Sequence, residues 1–509
     1  MLVVKFLLGL VPIIWLVIAL TFLKMPGYKA CPIAVLFAGA TAVLFKGLPL
    51  ISAATSVVEG VCTALWPIIL VILAALFVYG LTCETGAMDR IKSMLAGVSR
   101  DKRVLVLLIG WSFGCFMEGM AGFGTAVAIP GSILVGLGFD PLSTLLALLV
   151  VNSTPTAFGS VGVPLTSLES ATGLAAGALS SNTALISVLL MFLSPFLMVF
   201  IVGGGMKAFK GLLPFTLLSS AAFVIPHFIL ATFAGPELPN IIGSICSLIV
   251  SVLAAIRMKD HEIPEEYLVQ EQKTDSALTV SDAVKAWSPF ILIFFLLLFT
   301  SKLFPFINKP LSSISSSIPL YIGEGAAPSS FTWINTPGVW IILAGIIGGL
   351  IQGASLPSIL AVLGRTVRNN LKTILTICSV LVTAKLMVHS GMTTDVADVL
   401  VITAGKFYPL FSPMVGVLGG FVTGSGTNTS VLFGPLQAEA AAQLGIAQEW
   451  LGAANSLGAG VGKMISPSNV ALGCAAVGLS GKENLVIGRI FKYCLLYAVV
   501  GGIICFALA

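Results

Sequence analysis

Apolar runs long enough to cross a lipid bilayer recur from one end of this chain to the other, beginning with "VVKFLLGLVPIIWLVIALTF" at Val3. Hydrocarbon offers backbone groups no water to bond, so each crossing must be a helix of about 20 residues that satisfies itself. The composition agrees: of 509 residues, 57% are hydrophobic and only 9% charged. That is too little charge to cover a soluble surface. The expected fold class is an all-α polytopic membrane protein of about 12 transmembrane helices. The leading run has one Lys and no A-x-A site, and it reads as a retained helix rather than a signal peptide.

Several function classes drop out early. A net charge of +5 with no basic face argues against nucleic acid as a partner. Nine scattered Cys, no CxxC and three His make a metal site or disulfide framework unexpected, and the cysteines read as small apolar residues. "HEIPEE" is not the zinc-protease HExxH, and "GFGTAVAIPG" is not a dinucleotide fingerprint. No nucleophile triad or P-loop appears, so neither an enzyme nor an ATP-driven pump is expected, and no cofactor.

Two stretches share a pattern. One constant spacing pairs Gly86 with Gly391, Leu95 with Leu400, Gly114 with Gly419, Phe116 with Phe421, Gly119 with Gly424 and Pro130 with Pro435. Farther on the spacing tightens by two residues, and "NSTPTAFGSVGVP" (152–164) meets "NSLGAGVGKMISP" (455–467). We therefore divide the chain into a first repeat (1–204), linker helices with a cytoplasmic connector (205–286), and a second repeat (287–509). Each repeat should hold a re-entrant hairpin, about 103–137 and 408–445, and a broken helix, about 141–166 and 449–478. The loop between 304 and 330, rich in Ser and Pro, reads as irregular.

Charge placement tests this threading. With the N-terminus outside, the inner loops hold Lys24, Lys29, Arg90, Lys92, Arg100, Lys102, Arg103, Lys207, Lys210, Arg257, Lys259, Lys273, Lys285, Arg365, Arg368, Lys372 and Lys482. The outer loops hold little beyond Lys46, Lys302, Lys309 and Lys406. The bias follows the positive-inside rule and gives the halves opposite topology. An inverted repeat with broken helices points to a secondary transporter, its site near the midplane where the repeats meet.

The candidate residues cluster at those breaks. In "GCFMEGMAGFG" (114–124) the carboxylate Glu118 lies among glycines at membrane depth. A charge there costs about 2.5–3.5 kcal/mol, which makes Glu118 a candidate for proton coupling, the alternative being a structural hydrogen bond that locks the tip. Gly119, Gly122 and Gly124 let the chain turn and let a ligand approach the backbone amides, unless they serve close helix packing. The matching tip, "TGSGTNTS" (423–430), offers Thr423, Ser425, Thr427 and Asn428 to a carboxylate or hydroxyl group, or to sodium. Those hydroxyls could equally bond back to their own helix. Asn152, Ser153 and Thr154 break one crossing helix before Pro155. Asn455 marks the second, which Gly458 and Gly460 loosen, and Lys463 follows that break. An intramembrane Lys suits an anionic substrate, a pair with Glu118, or snorkelling to the interface. Lys385 and His389 are weaker candidates.

"FMEGMAGFGTAVAIPGSILVGLGFDPL", "NSTPTAFGSVGVP" and "GKMISPSNVALGCAAVGLSGKE" resemble the L-lactate permease family, over most of the chain. The resemblance implies proton-coupled uptake of lactate, glycolate and related 2-hydroxymonocarboxylates across a prokaryotic plasma membrane. More distantly, the plan is similar to elevator carriers of the ion-transporter superfamily, which are often dimers, so a homodimer is the protein partner it implies. One position departs: the family often has an acid in a "GSDTSSN"-like stretch, and this chain has Gly426 there. The neutral tip is also similar to those of sodium-dicarboxylate carriers. The expected function is thus a proton-coupled 2-hydroxymonocarboxylate transporter, with a sodium-coupled di- or tricarboxylate carrier as the alternative. A polytopic membrane enzyme would need an acidic metal motif or nucleophile set, and a passive channel would not accumulate solute.

Overall fold

The computed structural model describes residues 2–122, 124–258, 262–269, 279–324 and 326–509. Phe123 at the first hairpin tip, and connector residues 259–261 and 270–278 with Lys259 and Lys273, lie outside the described residues. Eleven described helices are long and apolar enough to span a membrane, or twelve with one bent pair counted as a span.

In chain order, α1 (Leu2–Val17) and α2 (Gly27–Ala40) each run on through one wider turn. Then α3 (Leu50–Thr63) kinks at Trp66 into α4 (Leu70–Glu84), and the short α5 (Ala87–Ala96) follows. The first hairpin rises through α6 (Lys102–Leu105) and a wide-turn stretch into α7 (Gly114–Met120), and returns as α8 (Thr125–Gly136). Beyond it α9 (Pro141–Ser153) bends by 60° at Thr154 toward α10 (Gly159–Thr172). Next come α11 (Ala176–Val202), α12 (Leu213–Phe233) and α13 (Pro239–Arg257), the last two being the linker helices.

The second half opens with α14 (Val280–Thr300), α15 (Pro305–Ser312) and α16 (Pro337–Ile351). It continues through α17 (Leu356–Asn369), α18 (Leu371–His389) and α19 (Met392–Ala404). The second hairpin is α20 (Tyr408–Thr423) with α21 (Gly426–Leu444). Its broken helix is α22 (Gln448–Lys463) with α23 (Pro467–Ala476), and α24 (Glu483–Ala507) ends the chain.

Three features differ from the sequence expectation. The loop after α14 is not irregular: it holds α15 and an antiparallel pair, β1 (Ser315–Ile318) with β2 (Ser329–Thr332). The strands are Ser-rich, SSSI and SSFT, and Trp66 pins the short ladder by donating its indole N–H to Thr332 O at 2.9 Å. Second, α3 and α17 are full helices that a count of bilayer-length apolar runs passes over, because their polar residues dilute the apolar signal. Third, α22 runs unbroken through Gly458 and Gly460 and stops only after Lys463.

Those glycines do something else. A Cβ at Gly458 would lie 2.0 Å from Pro413 O, and at Gly462 2.1 Å from Val417 O; from the other side, one at Gly420 would lie 2.2 Å from Ala459 O. The α20 and α22 backbones therefore touch, as small residues permit. On α22's opposite side a Cβ at Gly460 would lie 2.0 Å from Ser153 O, so α9 is pressed against it as well.

The first hairpin is enclosed by protein: every residue from Arg103 to Met120 is buried. That is the condition under which a turn at membrane depth is tolerated. Outer helices instead show large apolar side chains, such as Leu217, Ile225 and Phe233 on α12, as a lipid-facing surface should. Where α4 meets α5, and again where α18 meets α19, the chain turns at a left-handed glycine, Gly86 (φ +70°) and Gly391 (φ +71°).

Candidate functional site

Glu118 sits on the last turn of α7 and Lys463 is the last residue of α22. They meet: Lys463 Nζ donates to Glu118 Oε1 at 2.8 Å and to Thr156 Oγ1 at 3.4 Å. Both are almost fully buried, Glu118 at 2% and Lys463 at 7% exposure. A cation at a helix C-terminus is favoured by the helix dipole. Gly159 makes room for the carboxylate, since a Cβ there would lie 2.9 Å from Glu118 Oε1. Among the described residues no donor reaches the other oxygen, Glu118 Oε2. Removing one partner of such a pair strands a buried charge, at a cost of about 3–5 kcal/mol.

The pair lines a cavity of about 320 Å³. One side is built from the hairpin tips and broken helices: Gly122, Thr156 and Ser160 from the first half, and Gly424 to Asn428 and Asn469 from the second. The other side is the first turn of α2, at Gly27 and Tyr28, and the first two turns of α18, at Lys372, Thr373 and Thr376. The α9–α10 break is sharply formed. Ser160 (φ +45°) and Val161 (φ +59°) adopt left-handed backbone before Gly162, and Ser160 Oγ donates to Ala121 O at 2.9 Å. Strain of this kind, about 1–3 kcal/mol per residue, persists where the surroundings hold it and gathers at functional sites.

The structure brings six candidates into this cavity: Glu118, Gly122, Ser425, Thr427, Asn428 and Lys463. Gly124, Asn152, Ser153 and again Lys463 line an adjoining void of about 10 Å³. Four candidates lie outside both. Gly119 packs on Asn240, Thr154 is buried with its hydroxyl unpartnered, and Asn455 is buried at the α20–α22 crossing. Thr423 lines a separate cavity of about 660 Å³.

The tip hydroxyls divide. Thr423 Oγ1 accepts the Ser425 N–H at 3.1 Å and shares a 2.9 Å bond with Thr429 Oγ1; Ser425 Oγ caps α21 by accepting the Asn428 N–H at 3.2 Å. Thr427 and Asn428 make no side-chain hydrogen bond among the described residues, so their polar groups are open to a solute. Gly426 also faces the cavity, where a Cβ would meet Thr156 Cγ2 at 2.9 Å.

Sequence reasoning missed Thr156, Ser160 and Asn469. Asn469 Nδ2 donates to Gly424 O at 2.9 Å, tying α23 to the second tip. Its signal was present in "SPSN", where Ser and Pro open a helix. Lys385 and His389 lie elsewhere, and both hold Glu59, at 2.7 and 2.8 Å. Among the described residues no group of three or more His, Cys, Asp or Glu is placed to hold a metal ion.

Eleven apolar spans among the described residues, or twelve with the bent pair, an enclosed first hairpin turn and a polar cavity around a buried ion pair define a multi-pass membrane transport protein. The L-lactate permease family profile matches residues 5–509, and the chain belongs to that family. It is 39% identical to an L-lactate permease of Streptococcus iniae over 88% of this chain and 93% of that one. It is 34% identical to an L-lactate permease of Salmonella typhimurium, over 97% and 94%. It is also 34% identical to the glycolate permease GlcA of Escherichia coli K12, over 98% and 94%. These relatives are permeases rather than enzymes.

Proposed function

We propose that this protein carries L-lactate, glycolate and related 2-hydroxymonocarboxylates together with a proton across a prokaryotic plasma membrane. The names of its relatives support the substrate class. The observation that carries the coupling is the buried Glu118–Lys463 pair in the cavity wall. Empty, the pair is neutral. With a proton on Glu118 and a carboxylate on Lys463 it is neutral again. With only one of the two it bears a net charge, at about 2.5–3.5 kcal/mol for a charge at membrane depth. Each 1.4 kcal/mol is tenfold, so uncoupled crossing is suppressed by about two orders of magnitude. In this reading Lys463 takes the carboxylate that protonation of Glu118 releases it to bind. Thr427 and Asn428 meet the 2-hydroxyl, and the amides of the second tip complete the cradle. The matched series of elements is read as an inverted repeat whose halves alternate access to this cavity.

The test is uptake of labelled L-lactate into proteoliposomes under an imposed pH gradient, then under a sodium gradient. Accumulation should follow the pH gradient and be lost in Glu118→Gln, which should still exchange lactate down its own gradient. Accumulation driven only by sodium would overturn the reading.

A further inference from the structure

Three charged side chains line the 320 Å³ cavity among the described residues: Glu118, Lys463 and Lys372. The first two neutralise each other at 2.8 Å. Lys372, on the first turn of α18, has no carboxylate partner among the described residues. Its Nζ lies 5.0 Å from the centroid of the Tyr28 ring, on the first turn of α2. Unlike Lys463 it is exposed, so its charge stays hydrated, and the aromatic face holds it at the mouth.

The surroundings reinforce the sign. Lys29 Nζ lies 5.9 Å from the same ring. The neighbouring 660 Å³ cavity shares Gly27, Thr376 and Asn428 with the first and adds Lys24 and Glu483. Lys372 and Lys24 thus line the two joined cavities with one carboxylate, Glu483, on this side, and Lys29 stands near the same Tyr28 ring. Neither α2 nor α18 belongs to a hairpin or a broken helix, so Lys372 stands apart from the pair it faces across the cavity.

We propose that Lys372 is an anion-capture residue: it draws a carboxylate into the cavity from the face where α2 and α18 begin, and sets affinity at that face alone. The proposal rests on the carboxylate reading of the cavity given above. A mouth lined by one sign of charge raises the local concentration of the opposite ion. Salt limits that reach to about 8 Å at physiological ionic strength. The effect therefore falls on KM and not on the turnover of the loaded carrier. The competing role for Lys372 is topological, as one more positive residue on the inner side.

The experiment uses the full chain in proteoliposomes, with one orientation silenced by an impermeant thiol reagent at an introduced cysteine. Lys372→Gln should raise KM for L-lactate about three- to tenfold at the face Lys372 lines, with the maximal rate kept. KM at the opposite face should not move. Lys372→Arg should behave as wild type, and the Gln effect should shrink as potassium chloride is raised. An unchanged KM at that face, an equal change at both faces, or inverted labelling of the variant would overturn the proposal. Thermal stabilisation of the purified protein by lactate, glycolate, acetate and succinate is read in parallel. If the wild type moves no lactate yet a monocarboxylate stabilises it through Lys372, the transport reading fails and anion capture stands. If stabilisation is equal in Lys372→Gln, capture fails.

Discussion

A lysine and a glutamate buried side by side are each other's reason for being charged. Lys463→Met should strand Glu118 and lower the thermal midpoint in detergent markedly, by the equivalent of about 3–5 kcal/mol. The double change Lys463→Met with Glu118→Leu should recover most of that stability and none of the transport, which a melting curve beside a flux assay would show. Two independent losses of stability would mean that the pair does not act as a unit. A second carboxylate offers a pH test outside the spans. Glu237, in the turn between α12 and α13, has its pKa raised from 4.5 to about 7, chiefly by burial, with Glu169 adding to the rise and its own backbone and Lys302 opposing it. A raised carboxyl pKa means that the folded state holds the proton more tightly. Its stabilising share is therefore full below about pH 4.5 and falls as pH rises through about 7. Melting of Glu237→Gln against wild type across that window should show the variant gaining steadily with pH; parallel curves would remove Glu237 as the cause.

Among the elements, the crossing of α20 and α22 depends most on what is missing from its side chains. Gly458→Val would drive methyl groups into the Pro413 carbonyl and should cost at least the 1–3 kcal/mol of an overpacked core. The matching exposed change Gly364→Val, which meets nothing within 4 Å, should cost less, and comparative thermal melts would rank them. This crossing shows where reading the sequence stops. "NSLGAGVGK" looked like a broken helix because glycine favours breaks. Whether a glycine loosens its own backbone or admits a neighbour's depends on an α20 more than thirty residues away. Glu118 and Lys463 were legible because charge in an apolar run is conspicuous against the energy scale of the bilayer. Thr156 was not, since one hydroxyl costs little to bury and leaves no such mark. Nor was Glu59, whose partners Lys385 and His389 come from the other half of the chain.

Across the whole molecule, the number of spans was readable because bilayer thickness sets their length. The extra helices α3 and α17 were not, because their apolar faces are narrow. Each ties to the helix that follows its counterpart: α3 through Glu59 to His389 of α18, and α17 through Arg365 to Glu84 of α4. The threading predicts that these two ties lie on opposite sides of the membrane. In a cysteine-free background, a cysteine at Lys46 should label from outside intact cells and one at Arg368 only after permeabilisation. Labelling of both from one side would end the inverted reading. The bare contact between α20 and α22 carries one more implication. With backbone on backbone there is no side chain to reorient and no layer to slide, so Thr423 at the end of α20 and Lys463 at the end of α22 are joined like two arms of one lever. Spin labels on these helices should report a single, narrow distance in every step of the cycle, while distances from either helix to α18 change.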